Sequence, residues 1–222
     1  METLPDPAPL QATLEDLLPE TLRFLEKMVG INSFTRNGQG VDDNADCIVE
    51  QFSSLGFTAR RVPCSQPETG SHLVLDSGGD GPVIACISHL DTVFTAEEEA
   101  RNQFRWERDG DRIYGPGTLD IKGGTAAIWM MIQALATRHP EKFRATRWVL
   151  IWNAAEEILA EDFGTLCRET LPPSTRACLV FEADNARDNG FCILRSRKGS
   201  GQFGIHVSGR GAHAGSRYVD GA

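Results

Sequence analysis

Histidine and acidic residues occur at four places in the sequence where an apolar segment or a glycine loop ends. These residues are His89 and Asp91, Asp120, Glu156 and Glu157, and Glu182. Imidazole nitrogens and carboxylate oxygens bind divalent cations, and a carboxylate beside such a cation can take a proton from water. The residue types therefore indicate a site in which two metal ions would assist hydrolysis.

The first of these places is His89, which follows the apolar run Val83–Ile87. A histidine at the end of a strand can simply bond to a backbone carbonyl. Asp91 favours a different interpretation, because a carboxylate two residues on can hold one ring N–H. That contact fixes the tautomer and turns the other ring nitrogen towards a metal.

Asp120 closes the loop Gly115-Pro-Gly-Thr-Leu-Asp120, just before a predicted helix. It could be a plain helix N-cap, a common position for aspartate. It could instead bridge two cations, with one oxygen for each. The Gly-x-Gly turn also raises a nucleotide-binding α/β domain as a weaker alternative, but the third glycine of a dinucleotide loop and a Gly-Lys-Ser/Thr motif are both missing.

Glu156 and Glu157 follow the apolar run Trp148–Trp152 closely. Adjacent glutamates usually form a solvated helix face. Beside a buried strand, however, they would repel each other unless cations neutralise them. We therefore expect one glutamate to bind metal and the other to act as a base.

Glu182 follows the run 177–181 directly, and His213 lies between glycines in Gly209-Arg-Gly-Ala-His-Ala-Gly215. Glu182 could form a salt bridge at the strand end, and Asp184 and Asp188 are alternative ligands by spacing. His213 could be an ordinary loop residue or a donor to a developing oxyanion. The other histidines lack acidic neighbours and are predicted to be structural or exposed: His72, His139 and His206.

The elements that would position these residues follow from hydrophobic periodicity. Short continuous apolar runs suit central strands that are buried on both faces, and spacings of three and four residues suit amphipathic helices. Strands are predicted at 57–62, 72–75, 83–87, 147–152 and 177–181, and helices at 12–29, 41–55 and 122–138. The alternation predicts an α/β fold with a largely parallel sheet flanked by helices, whose ligands collect at the carboxyl ends of the strands.

The character of the sequence changes near Ser196, where glycines punctuate a β-like stretch, Ser200–Val207. We therefore predict two domains. Residues 1–195 would be an incomplete metal-binding catalytic domain, and residues 196–222 would begin a second, α+β domain.

Composition limits the classes of partner. The net charge of −9 argues against nucleic acid and anionic membranes. The six cysteines include no Cys-x-x-Cys pair, and the acidic start of the chain does not resemble a signal peptide. These features favour a reducing, cytoplasmic location, and the net charge says nothing about a small substrate.

Four motifs occur in an order that resembles a known family: Ser88-His-Leu-Asp-Thr-Val93, Gly115-Pro-Gly-Thr-Leu-Asp-Ile-Lys-Gly-Gly124, Glu156-Glu157 and Gly211-Ala-His-Ala-Gly215. This is the family of co-catalytic zinc peptidases and deacylases. It includes glutamate carboxypeptidase, acetylornithine deacetylase, succinyl-diaminopimelate desuccinylase and aminoacylase. The resemblance implies hydrolysis of an amide bond in an N-acyl amino acid or at a peptide end.

The resemblance also implies a set of metal ligands. His89 and Glu182 would hold one zinc ion, Glu157 would hold a second, and Asp120 would bridge them next to a cis peptide bond to Ile121. Nitrogen and oxygen ligands without cysteine suit Zn²⁺, with Co²⁺ or Mn²⁺ as alternatives.

The remaining roles are implied in the same way. Asp91 would orient His89, and Glu156 would be the general base. His213 would lie in a lid or dimerisation domain and would assist the active site of a partner subunit in a homodimer.

The chain departs from the family pattern in two respects. Ile158–Glu161 follows the glutamate pair where the family often has Gly-Ser. The family's last zinc-binding histidine would lie beyond Ala222, so that the second metal has fewer ligands here. The alternative hypothesis is therefore a truncated, inactive family member or interaction fragment that binds at most one metal.

Overall fold

A computed structural model describes residues 8–158, 160–183, 193–194, 196, 204–206, 208–213 and 215–221. The chain divides into two compact units, Met1–Ala183 and Asp184–Ala222. The domain boundary predicted at 195/196 lies within the second unit, and the assignment of domains stays a prediction. The β-like stretch predicted for Ser200–Val207 lies mainly outside the described residues.

The described chain contains six α-helices and seven strands. The helices are α1 (Ala8–Val29), α2 (Gly38–Phe52), α3 (Ala96–Asn102), α4 (Gly123–Arg138), α5 (Pro140–Arg144) and α6 (Glu161–Thr170). The strands are β1 (Thr58–Pro63), β2 (Ser71–Asp76), β3 (Val83–His89), β4 (Glu107–Asp109), β5 (Arg112–Tyr114), β6 (Arg147–Asn153) and β7 (Ala177–Val180).

Five of these strands form the main sheet of the first unit, in the order β1-β2-β6-β3-β7. β3 pairs in parallel with both β6 and β7, whereas β2 is antiparallel to β1 and β6. Within the described sheet, β2 is therefore the strand that runs against the other four. β4 and β5 form a separate hairpin.

Helices cover both faces of this sheet, which confirms the predicted α/β class. Buried residues of α1, α2 and α4 share one apolar cluster with β2, β3 and β6. On the other face, Leu166 of α6 packs with Val74, Val149 and Ile151. The predicted helices and strands are observed within a few residues of their expected bounds, and Gly56 follows α2 and its short 3-10 turn in the left-handed region, with φ of +78°.

A buried hydrogen bond joins β6 to the beginning of α4. Trp152 is fully buried, and its indole N–H donates to the hydroxyl of Thr125 at 2.9 Å. The Thr125 hydroxyl also lies 3.5 Å from that of Ser88, the residue before His89. This contact therefore connects the central strands to the helix that follows the Asp120 loop.

We expect Trp152→Phe and Thr125→Val to be coupled in a double-mutant cycle of urea unfolding. Either substitution alone removes the hydrogen bond, so the double variant should be less destabilised than the sum by about 0.5–1.5 kcal/mol. Trp148 is the control, since its indole donates instead to the carbonyl of Phe143. Trp148→Phe should be additive with Thr125→Val within about 0.5 kcal/mol. Equal coupling in the two cycles would contradict the assignment.

Candidate metal centre

Three strand ends bring ionisable side chains to one edge of the sheet. His89 is the last residue of β3, Glu156 follows β6, and Glu182 follows β7. β3, β6 and β7 are parallel neighbours, so their carboxyl ends lie together. This is the edge at which the sequence predicts a ligand.

The ring of His89 is buried and has acidic partners on both nitrogens. Nδ1 lies 3.0 Å from the backbone oxygen of Asp91 and 3.3 Å from its carboxylate. Nε2 lies 3.0 Å from Asp120 Oδ1 and 3.9 Å from Glu182 Oε1. The backbone carbonyl considered as an alternative partner is thus present, but the carboxylate lies beside it and Nε2 faces two further acids.

Asp120 lies in a distorted turn, Thr118–Lys122, that precedes α4. The peptide bond from Asp120 to Ile121 is cis, as the resemblance implies. The N-cap of α4 is Lys122, so the interpretation of Asp120 as a plain N-cap is wrong. Half of the Asp120 side chain is exposed, which leaves its carboxylate open to a ligand.

Lys122 anchors this turn to the rest of the fold. Its side chain is buried, and the ammonium group donates to the carbonyls of Met28 at 2.9 Å and Ile31 at 2.8 Å. Burial lowers the pKa of Lys122 to about 8. The carbonyls lie at the end of α1, so the lysine fixes the Asp120 turn against that helix.

The turn that carries Glu156 and Glu157 is held by Asp91. Its buried carboxylate accepts the N–H of Glu156 at 3.1 Å, the N–H of Glu157 at 3.2 Å and the hydroxyl of Thr35 at 2.7 Å. Burial raises the pKa of Asp91, but hydrogen bonds from His89, Thr35 and Glu156 outweigh it and lower the pKa overall. Asp91 is therefore ionised, and its carboxylate links the Thr35 segment to the turn at Glu156 and Glu157. Thr35 lies 56 positions from Asp91 in the sequence and belongs to no local motif, so no sequence pattern marks it as part of this site.

Two groups of side chains offer ligand atoms that all lie within 4.8 Å of one another around His89. One group is His89, Asp120 and Glu182, the set expected for the first zinc ion. The other is His89, Glu156 and Glu157. The structure thus brings together the predicted site residues that lie in the first unit. Their roles as metal ligands stay predictions.

The crowding of carboxylates perturbs their protonation. Burial and then the charge of Asp120 raise the pKa of Glu157 to about 7. Burial also raises the pKa of Glu156. The hydrogen bond with His89 lowers the pKa of Glu182 to about 2. Burial lowers the pKa of His89, but its bonds to Asp91 and Glu182 outweigh burial and raise it to about 11.

These residues fit a divalent cation. Five carboxylates surround one imidazole, which is an excess of negative charge in a partly buried place. His89 Nε2 faces the carboxylates of Asp120 and Glu182. When this nitrogen carries no proton, its lone pair can bind a metal ion. Asp120 and Glu182 would complete the ligands of one ion, and Glu157 is available to a second.

His213 belongs to the second unit and is exposed. Its Nδ1 accepts the backbone N–H groups of Gly215 and Ser216, both at 3.2 Å. Of the other histidines, His72 is fully buried, whereas His139 and His206 are exposed. The alternative ligands Asp184 and Asp188 lie outside the described residues.

Solved structures share this fold. Human carnosine dipeptidase 1 matches with a TM-score of 0.65 at 15% identity, over 78% of this chain and 41% of the other. The dipeptidase Dug1p of Saccharomyces cerevisiae matches with a TM-score of 0.64 at 17% identity, over 78% and 40%. The chain therefore shares the fold of these two dipeptidases over 78% of its length.

Residues 85–213 match the family model of peptidase family M20/M25/M40, and the chain belongs to this family. It is 28% identical to carboxypeptidase G2 of Pseudomonas sp. over 205 residues, which are 90% of this chain and 47% of the relative. It is also 28% identical to succinyl-diaminopimelate desuccinylase of Hydrogenovibrio crunogenus over 202 residues, 88% and 51% respectively. The chain thus spans about half the length of these curated relatives.

Among the described residues, no helix is both long enough and apolar enough to cross a bilayer. The described cysteines are all free: Cys47, Cys64, Cys86, Cys167 and Cys178. The location of the protein in the cell stays a prediction.

We expect Asp91→Asn to destabilise the fold by about 1–3 kcal/mol. The amide replaces one carboxylate oxygen by an NH₂ group, so the buried donors of Thr35, Glu156 and Glu157 lose an acceptor. Urea unfolding measures the loss, and faster amide exchange at Glu156 and Glu157 would locate it. Asp111→Asn is the matched control, since Asp111 is exposed in the turn between β4 and β5. If both variants unfolded at the same urea concentration, the proposed role of Asp91 in linking these segments would be wrong.

Proposed function

We propose that this chain carries the metal-binding part of an amide hydrolase with two zinc ions, and that its substrate is an N-acyl amino acid or a small peptide. The observation that supports the proposal best is the convergence of His89, Asp120, Glu156, Glu157 and Glu182 at one edge of the sheet. The relatives agree in chemical class, since a carboxypeptidase and a desuccinylase both cleave an amide bond.

In the proposed site, His89, Asp120 and Glu182 hold one ion, and Asp120 and Glu157 contribute to the other. Bound zinc acts as a Lewis acid, which polarises the substrate carbonyl and makes water a better nucleophile. Co²⁺ and Mn²⁺ are alternatives with the same preference for nitrogen and oxygen ligands.

Glu156 is the proposed general base. It takes a proton from the attacking water and returns that proton to the leaving nitrogen. Burial raises its pKa, which makes the carboxylate a stronger base than a solvated glutamate. Asp91 keeps this side chain beside His89 by holding the backbone N–H of Glu156.

His213 is the proposed donor to the developing oxyanion. Because two backbone N–H groups point at its Nδ1, the proton of the neutral ring belongs on Nε2, which can then donate to an anion. In a homodimer formed through the second domain, this donor would serve the partner subunit.

Zinc titration by calorimetry tests the ligand set. We expect His89→Ala to weaken binding by more than about 100-fold, since loss of even an outer hydrogen-bond partner of a ligand costs about 10–100-fold. His139→Ala should bind zinc like the natural chain, because His139 is exposed and outside the site. Two equivalents of zinc per chain would contradict the alternative of an inactive fragment that binds at most one.

Hydrolysis assays on N-acyl amino acids and dipeptides test the proposed base. Glu156→Gln should lower kcat by about 10²–10⁴-fold with zinc content unchanged, because the amide keeps the shape of glutamate but cannot take a proton. The exposed Glu161 provides the control, and Glu161→Gln should retain activity. Near-normal turnover by Glu156→Gln would exclude it as the base.

A further inference from the structure

Four consecutive backbone N–H groups, from Ala154 to Glu157, each donate to a side chain. Asp91 accepts those of Glu156 and Glu157, and Asn153 accepts that of Ala155 at 3.0 Å. The first of the four, the N–H of Ala154, donates to Nδ1 of a histidine outside the metal centre, His72, at 3.0 Å. The segment that carries the glutamate pair is thus anchored at its start by His72.

His72 lies on β2 and is fully buried. Burial lowers its pKa, against the opposing charge of Asp162. Nδ1 needs its lone pair to accept the N–H of Ala154, so the ring is neutral. A neutral imidazole has one N–H and one acceptor nitrogen. Because Nδ1 accepts from Ala154, the ring proton must be on Nε2.

Asp162, in the first turn of α6, favours this tautomer. Its Oδ2 lies 3.4 Å from His72 Nε2, so its negative charge favours a proton there, although the two atoms do not have hydrogen-bond geometry. The same oxygen accepts the N–H of Ser65 at 2.6 Å, which keeps the carboxylate in place. The ring of Phe163 packs against the imidazole with centroids 5.3 Å apart.

We propose that His72 is a positioning residue for the glutamate pair: oriented by Asp162, it accepts the N–H of Ala154 and thereby fixes the backbone that presents Glu156 and Glu157. The link to catalysis rests on the proposed function, whereas the link to the backbone does not. β2 runs against its neighbours in the sheet, so its first residues lie beside the end of β6.

A metal ion is the competing interpretation of this cluster, since Cys64, His72 and Asp162 offer ligand atoms within 4.8 Å of one another. Nδ1 is already occupied as an acceptor, so a metal on Nε2 would have to displace the only ring proton. The geometry therefore favours a proton on Nε2 over a metal.

Three variants of His72 in the full 222-residue chain test the proposal. His72→Asn places an amide oxygen near the position of Nδ1, His72→Gln places its amide near Nε2, and His72→Leu removes both polar atoms. Amide hydrogen exchange at Ala154 should be roughly five- to tenfold faster in the Gln and Leu variants, and close to natural in the Asn variant. Ile128, buried in α4, is the internal control and should not change. Equal exchange in the Asn and Gln variants would overturn the proposal.

The tautomer can be measured in the natural chain, so the test does not depend on a variant that folds. Ring nitrogen NMR at pH 7 should show the proton on His72 Nε2. A proton on Nδ1 would overturn the proposal. So would a thiolate-to-cobalt absorption band that appears with Co²⁺ and is lost in Cys64→Ser, because it would mean that the cluster binds metal.

Measurements of hydrolysis by the same three variants test whether His72 affects catalysis by the glutamate pair. With zinc content unchanged, kcat should fall in the Gln and Leu variants and recover in the Asn variant, while KM stays similar. If the natural chain hydrolyses none of the substrates, the proposed function fails but the exchange and NMR results still decide the role of His72. If the natural chain is active and the exchange rates do not differ, the positioning role fails alone.

Discussion

The rest of the metal centre depends on the burial of one negative charge, the carboxylate of Asp91. A buried carboxylate is costly unless hydrogen-bond donors surround it. Its donors come from the Thr35 segment and from the turn at Glu156 and Glu157, and the ring of His89 lies against it. Satisfying this charge therefore requires three separate parts of the chain to meet.

The second constraint is repulsion among the carboxylates that this arrangement collects. Asp120, Glu157 and Glu182 face the same imidazole, and the pKa of Glu157 rises to about 7 as a result of burial and of the charge of Asp120. Protons can relieve such crowding, and divalent cations can relieve it more effectively. The excess negative charge at this edge is thus the physical basis of the proposed affinity for metal.

Residues outside the centre restrain the loops that carry it. Lys122 ties the Asp120 turn to the end of α1, and His72 holds the first N–H of the segment that leads to Glu156. Both are buried polar side chains that form hydrogen bonds with backbone groups. Such contacts hold a loop in place without using the carboxylates that are proposed to bind metal. They suit a site whose charged groups must keep fixed positions.

By itself, the sequence determined the α/β class, the strand ends that meet at one edge, and His89, Asp120 and the Glu156–Glu157 pair as the groups collected there. Local patterns sufficed because apolar runs specify buried strands, and parallel strands deliver their ends together. Only the tertiary structure decided the reversed direction of β2, the contact of Thr35 with Asp91 and the burial of His72. The physical reason is that these features depend on packing between distant segments: the partners are 56 and 82 positions apart, and no local period connects them.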